Sequence, residues 1–161
     1  MSNFSPAKRA LFRQLTSQAV DFMRPPWAIE EYEFVNACTA CNACSEACET
    51  SIIKLDKRNQ PYIDFTDDEC TFCTKCLQAC TSGALQKSAR PWNASARVVA
   101  TCFAQNQVHC RSCSDVCEQQ AISFALSAHG ISPPDIKIDQ CTGCGACVSI
   151  CPNRAIEIRY N

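Results

Sequence analysis

The sequence lacks any apolar run near the ~20 residues that a membrane-spanning helix needs. Its first twenty residues contain no unbroken apolar stretch of ~7–15 residues with a small-residue cleavage site behind it, which is the pattern of a secretory signal. No basic stripe of the kind that binds nucleic acid is present, and the net charge is −1. We therefore expect a protein of a soluble, reducing compartment, with no membrane span and no nucleic-acid partner.

Glycine is also scarce, with four residues among 161. Phosphate-binding loops need closely spaced glycines, and no such loop is found in the sequence. No nucleophile and base stand out as a catalytic set either. These absences argue against an enzyme, and we predict no catalytic residue.

Cysteine, by contrast, is abundant: 16 residues, about one in ten. Such a density in a short chain indicates either a disulfide scaffold or a metal protein. Disulfide scaffolds belong to secreted proteins, whereas thiols in a reducing compartment stay free to bind metal. With no secretory signal in view, metal binding is the simpler interpretation.

The cysteines recur in the spacing C-x2-C-x2-C-x3-C, intact at 38–48, 70–80 and 141–151. In the remaining stretch, CFAQNQVHCRSCSDVC, Gln107 stands where the first cysteine belongs and Cys102 lies five residues earlier. This spacing is the bacterial iron–sulfur pattern, in which the fourth cysteine ligates the other cluster of a pair. We predict [4Fe–4S] clusters, because [2Fe–2S] ferredoxins space their cysteines differently and structural zinc sites use separated pairs.

This crossing rule, applied within each half of the chain, distributes all the thiols over four clusters. Cluster one takes Cys38, Cys41, Cys44 and Cys80; cluster two Cys48, Cys70, Cys73 and Cys76; cluster three Cys102, Cys110, Cys113 and Cys151; cluster four Cys117, Cys141, Cys144 and Cys147. The third set has an alternative: a broken copy with a three-iron cluster or none, and Cys102 as a small buried apolar residue. We favour a stretched first loop, because a decayed copy has no reason to retain a spare cysteine beside the gap.

The fourth cysteine of each group marks an internal repeat of roughly thirty residues. Its fourth and fifth successors are small or aliphatic each time: Ile52–Ile53, Ala84–Leu85, Ala121–Ile122 and Ala155–Ile156. Alternating apolar residues around turns predict one β-hairpin after the first group and another after the third. We expect an α+β fold of two tandem bacterial-ferredoxin-like modules, 28–89 and 90–161. Modules this small cannot rely on an apolar core alone, so the aliphatic pairs should pack against the clusters.

Residues 6–23 predict an amphipathic helix, because Pro6 suits the first turn and apolar residues recur along one face. The arm formed by residues 1–27 has four basic residues against one acidic residue, a net charge of +3. Two roles remain open for it: packing on its own body, or docking on a partner. Trp27 and Trp92 each follow a proline and are expected to pin linkers, and His109 is interpreted as a loop residue rather than a ligand.

The basic arm, the R-P-P-W element at 24–27 and four cysteine groups with the third stretched together resemble the NapF family, ferredoxin-type accessory proteins encoded with periplasmic nitrate reductase. The resemblance covers essentially the whole chain. It implies a cytoplasmic iron–sulfur protein that binds the precursor of the catalytic subunit of that reductase before export and assists its maturation or redox activation. The alternative is a soluble electron carrier that links a donor to a reductase.

Overall fold

A computed structural model describes residues 23–126 and 130–161, and these residues form two modules of one topology. Each module runs from an outer strand or bridge through a cysteine loop, a hairpin and a second cysteine loop to a closing strand or bridge. The predicted α+β, ferredoxin-like fold is therefore confirmed. The predicted N-terminal helix lies outside the described residues except for its last position.

Module one has three short helices and one hairpin. The elements are α1 (Glu31–Ala37), α2 (Ala43–Glu46), β1 (Ile53–Leu55), β2 (Pro61–Ile63) and α3 (Lys75–Ala79). The strands β1 and β2 are antiparallel, and the Asp56 carboxylate closes their turn by accepting the backbone N–H groups of Arg58 and Gln60. The outer pairing of this module is a single antiparallel bridge between Ala28 and Leu85.

Module two repeats the order with a longer outer pair. Its elements are β3 (Ala94–Val98), α4 (Ser112–Asp115), β4 (Ile122–Phe124), β5 (Pro134–Ile136), α5 (Ala146–Ser149) and β6 (Ile156–Tyr160). The outer strands β3 and β6 pair antiparallel over five residues, and β4 and β5 form the hairpin that the alternation predicted. Within the described ranges, no helix is both long and apolar enough to cross a bilayer.

The repeat after each fourth cysteine has a structural cause. The third residue after it adopts a left-handed backbone in all four copies: Ser51, Gly83, Gln120 and Arg154. In three of them the N–H of this residue donates to the carbonyl of the cysteine, at 2.9–3.1 Å. The turn directs the next two residues inward, and all eight are buried, with exposures of 1–7%.

A buried segment, residues 23–27, closes module one. We call it the strap. Pro25 and Pro26 are fully buried, and Trp27 is 6% exposed within the core of this module. Arg24 donates from Nε and Nη2 to the Glu31 carboxylate (2.9 and 2.7 Å) and from Nη1 to the carbonyl of Pro61 (3.0 Å). The R-P-P-W element therefore has a structural role: it ties helix α1 and the hairpin together.

Candidate metal centres

Four cavities account for the cysteines, and each cavity is lined by one predicted set of four. Cavity one is lined by Cys38, Cys41, Cys44 and Cys80; cavity two by Cys48, Cys70, Cys73 and Cys76; cavity three by Cys102, Cys110, Cys113 and Cys151; cavity four by Cys117, Cys141, Cys144 and Cys147. All sixteen thiols are free. Three cysteines of one group thus meet the fourth cysteine of the other group of the same module.

The three intact loops wrap their cavities through left-handed residues at two fixed positions, before and after the second cysteine. The pairs are Ala40 and Asn42, Phe72 and Thr74, and Gly143 and Gly145. A left-handed residue reverses the local direction of the chain. This backbone turns successive cysteines of one loop toward a common centre.

The stretched third loop reaches the same result by another route. Its extra residues fold into a compact turn, in which the Asn106 side chain donates to the carbonyls of Ala100 and Cys102, both at 2.8 Å. Cys102 consequently lies on the wall of cavity three. Gln107, in the place of the missing cysteine, is exposed, and so is His109; neither lines that cavity.

The aliphatic pairs line the cavities as well. Ala84 and Leu85 line cavity one, Ile52 and Ile53 cavity two, Ala155 and Ile156 cavity three, and Ile122 cavity four. Each of these residues therefore lines the same cavity as the fourth cysteine of its own group. Cavities one to three are nearly equal in size, with 350, 360 and 350 Å³ of empty space, whereas cavity four has 850 Å³.

Hydrogen bonds reach the sulfur of every fourth cysteine. In module two, backbone N–H groups of Ala121 and Ala155 donate to the Sγ atoms of Cys117 (3.3 Å) and Cys151 (3.2 Å). In module one, hydroxyl groups are the nearest partners: Thr50 for Cys48 (3.6 Å) and Ser82 for Cys80 (3.5 Å). Hydrogen bonds to ligand sulfur are one of the factors that set cluster potential.

Burial changes the acidity of the thiols. It raises the pKa of Cys44, Cys76 and Cys113 to about 11 and that of Cys70 to about 12. Burial also acts to raise the pKa of Cys80, but hydrogen bonds from Ser82 and from nearby backbone N–H groups outweigh it, so that pKa is lowered. Metal binds thiolates, so loading these sites displaces protons from the buried thiols.

The donor sets suit an iron–sulfur cluster. Within residues 23–126 and 130–161, no three Cys, His, Asp or Glu side chains are grouped so as to hold a single metal ion. A [4Fe–4S] cluster is a larger body, and its four cysteine ligands surround it from different sides. Four thiols around a cavity, with an apolar lining beside them, match that requirement.

Comparison with known families identifies the cofactor. The 4Fe-4S dicluster domain matches residues 37–84 and 108–155, once in each module. Clusters of the [4Fe–4S] type are therefore the cofactors of this chain. The second match begins after Cys102, and the structure places Cys102 on the wall of cavity three.

Individual relatives narrow the family. The ferredoxin-type protein NapF of Escherichia coli strain K12 is 36% identical over 155 residues, which cover 96% of this chain and 94% of the relative. The chain belongs to the NapF family of ferredoxin-type proteins. NapF of Haemophilus influenzae is 39% identical over 137 residues (84% of this chain, 78% of the relative), and the ferredoxin-type protein NapG of Escherichia coli strain K12 is 29% identical over 151 residues (80% and 65%). The resemblance found in the sequence is confirmed.

Sequence reasoning missed how the modules meet. Cavity four is also lined by Glu69, Cys70 and Phe72 of module one, which explains its larger volume. The last cysteine loop offered a signal: it has Gly143 and Gly145 at the two left-handed positions, where the other intact loops have residues with side chains. Those glycines are required by neighbours that belong to other parts of the chain.

Proposed function

We propose that each cavity holds one [4Fe–4S] cluster, so that the chain carries four. The observation that supports this assignment is the composition of the four cavities, each lined by three cysteines of one group and the fourth cysteine of its partner. Such clusters supply one-electron chemistry, while the protein sets their potential through hydrogen bonds and exclusion of solvent. Cys102 is the first ligand of cluster three in this proposal.

The protein serves in the cytoplasm as an accessory protein of periplasmic nitrate reductase: it binds the catalytic subunit before export and assists its maturation or redox activation. Membership of the NapF family and the complete set of cysteines support this role. Electron transfer, rather than catalysis, is its chemical contribution. A soluble ferredoxin that links a donor to a reductase is the second candidate, because its clusters would be the same.

Charge favours the basic arm as the docking element. Residues 28–89 contain ten acidic residues and five basic ones, whereas residues 90–161 contain five acidic and six basic residues. The arm, with its net charge of +3, complements an acidic surface, and electrostatic attraction of this kind steers association. Module one offers such a surface within the chain, so the charges allow the arm to pack on module one or to dock on an acidic partner, and we propose the second.

Deletion of residues 2–20 tests the docking role. The strap must be retained, because Met23 and Arg24 are buried in module one. We expect the truncated protein to keep its iron but to lose co-purification with the unexported catalytic subunit. The matched control, Lys54→Ala with Lys57→Ala, removes two positive charges beside the turn of the first hairpin and should leave binding intact. Unchanged binding after the deletion would refute the docking role.

A second experiment separates the maturation factor from the electron carrier. Reductase is isolated from cells that lack this protein and is assayed with an artificial electron donor. If the protein is a maturation factor, the reductase from these cells is inactive even with the artificial donor, because the enzyme was never completed. If the protein is instead an electron carrier, the reductase from these cells is fully active, because the artificial donor replaces the missing electron supply.

A further inference from the structure

The walls of the four cavities reveal which cluster sites are neighbours across the modules. Cavity one is lined by module one alone, cavity two by module one and the strap, and cavity three by module two alone. Cavity four is lined by both modules. The same three residues, Cys70, Thr71 and Phe72, line cavity two and cavity four, so one segment of backbone separates the two sites.

A backbone hydrogen bond joins the two cysteine loops at this point. The N–H of Cys70 donates to the carbonyl oxygen of Cys144 at 2.8 Å. Cys70 lines cavity two and Cys144 lines cavity four, so the bond connects a ligand position of each site. We call the surroundings of this bond the module junction.

Three aromatic rings hold the junction in place. The indole Nε1–H of Trp92 donates to the carbonyl of Thr142 at 2.7 Å. The ring of Trp92 packs edge-on against Phe72 and Phe65, with centroid distances of 5.6 and 6.1 Å. Phe65 is 7% exposed and belongs to the core of module one.

Gly145 is the residue that permits this approach. A Cβ atom built on it would lie 2.1 Å from a ring carbon of Phe65, which is impossible without movement. Asn42 and Thr74 are also left-handed at the equivalent position of their loops, at φ 66° and 64°, but Gly145 lies at φ 92°, so its backbone and its contact with Phe65 both favour glycine. The absence of a side chain at position 145 thus serves the contact between modules.

We propose that the module junction is where an electron passes between modules, so that the clusters form one relay in the order one, two, four, three. Within each module, each cysteine loop supplies ligands to both sites. The first loop of module one, for example, supplies Cys44, which lies in α2, to cavity one and Cys48 to cavity two. Between modules, the wall formed by residues 70–72 is the shared boundary. Cys70 would hold the cluster on one side of this wall and Cys144 the cluster on the other, and the one-electron exchange that such clusters supply would make and break no bond. This proposal rests on the four-cluster assignment proposed above.

The test uses EPR of the fully reduced, anaerobic protein, because neighbouring paramagnetic clusters broaden each other's signals. Gly145→Asn introduces a residue type that tolerates a left-handed backbone better than most, and its side chain forces Phe65 away from the loop. We expect iron and sulfide to remain at the wild-type level. The part of the EPR line broadening that arises between the clusters on opposite sides of the junction should be lost. The double variant Gly145→Asn with Phe65→Ala should recover part of it.

The matched control is Asn42→Gly in the first loop of module one, which makes the reverse change away from the junction and should leave the cross-junction broadening intact. If Gly145→Asn loses iron, Trp92→Phe answers the same question, since it removes the hydrogen bond to Thr142 without adding atoms; we expect a smaller loss of broadening. Unchanged spectra in an iron-replete Gly145→Asn or Trp92→Phe variant would overturn the relay order. A wild-type protein with fewer than four clusters would instead overturn the proposed function.

Discussion

The two modules solve the same problem of closure in different ways. Module two joins its ends by five residue pairs between β3 and β6, whereas the ends of module one meet in a single bridge, Ala28 to Leu85. Module one compensates with the strap, in which buried Arg24 binds Glu31 and the hairpin. The cysteine framework thus fixes the cluster sites of both modules, whereas the outer strands and segments that close each module can differ.

The modules also differ in where they carry extra residues. Module one inserts helix α1 before its first cysteine, and module two inserts a turn after its first cysteine, between Cys102 and Cys110. The first insertion precedes the first cluster loop of its module, whereas the second lies inside the first cluster loop of its own module. A loop at either place can lengthen at little cost, since closure entropy grows slowly with length, provided that the first cysteine still reaches its cavity.

The largest effect expected is from removal of the iron, which should erase the difference between the modules. The core of module two consists largely of cysteines and of residues from the aliphatic pairs, and that of module one adds a few larger side chains such as Trp27, Phe34 and Phe65. We expect neither of these small cores to stand without its clusters. We expect anaerobic chelation to abolish most of the far-UV circular dichroism signal. A native-like spectrum after complete loss of iron would contradict this.

Substitution of the first cysteine of each module tests whether the stretched loop is equivalent to an intact one. Cys38→Ser and Cys102→Ser should each remove or convert one cluster, for a loss of up to about a quarter of the iron, because each variant lacks one of four ligands. The measurement is iron and sulfide content together with the EPR spectrum of the reduced protein.

Gln107→Ala is the control for the stretched loop, because residue 107 stands at the sequence position of the missing cysteine but does not line cavity three. It should retain every cluster. If Cys102→Ser matches the wild type in iron content and spectrum, module two has a broken copy, and the equivalence of the modules fails.

The strap should stabilise module one more than module two. Glu31→Gln removes the negative charge that faces buried Arg24, and we expect a loss of about 1–2 kcal/mol, limited by the solvent exposure of Glu31. Glu33→Gln, an exposed position on the same helix, is the matched control and should be neutral. Hydrogen exchange resolved by residue would show the loss in helix α1 and the first hairpin; an equal loss in β3 and β6 would be inconsistent with a local role.

The smallest effect concerns an ion pair that module one has and module two lacks. Lys75 binds Glu49 on the surface, and in module two Ala146 occupies the position equivalent to Lys75. Exposed pairs of this kind contribute little. We expect Lys75→Ala to leave the unfolding midpoint unchanged at physiological salt, and a clear decrease would mean that this pair shapes the second cysteine loop.

Much of the framework was predictable from the sequence because the signals are local. The cysteine spacing predicted the four sets that line the cavities, and the alternation after the first and third cysteine groups predicted both hairpins. The aliphatic pairs repeat at a fixed distance from the fourth cysteine of each group. Their burial follows from the left-handed turn between that cysteine and the pair.

The features that escaped prediction depend on partners distant in sequence. Nothing near Arg24 indicates the carbonyl of Pro61, 37 residues later, as its partner, and nothing near Phe65 indicates Gly145, eighty residues later. The five-residue outer sheet joins strands separated by more than fifty residues, and its length has no signal of its own. Contacts of this kind arise only when the modules fold and meet.

The central claim is that each cluster takes three cysteines from one loop and its fourth from the other loop of the module. Crystallography of anaerobically purified protein at the iron absorption edge tests it most directly, because anomalous density locates iron without prior assumption. We expect four compact iron sites, one in each cavity, with Cys102 and Cys151 both bound to the third. Zinc at these positions, disulfides between the cysteines, or a cluster held by four cysteines of a single loop would contradict it.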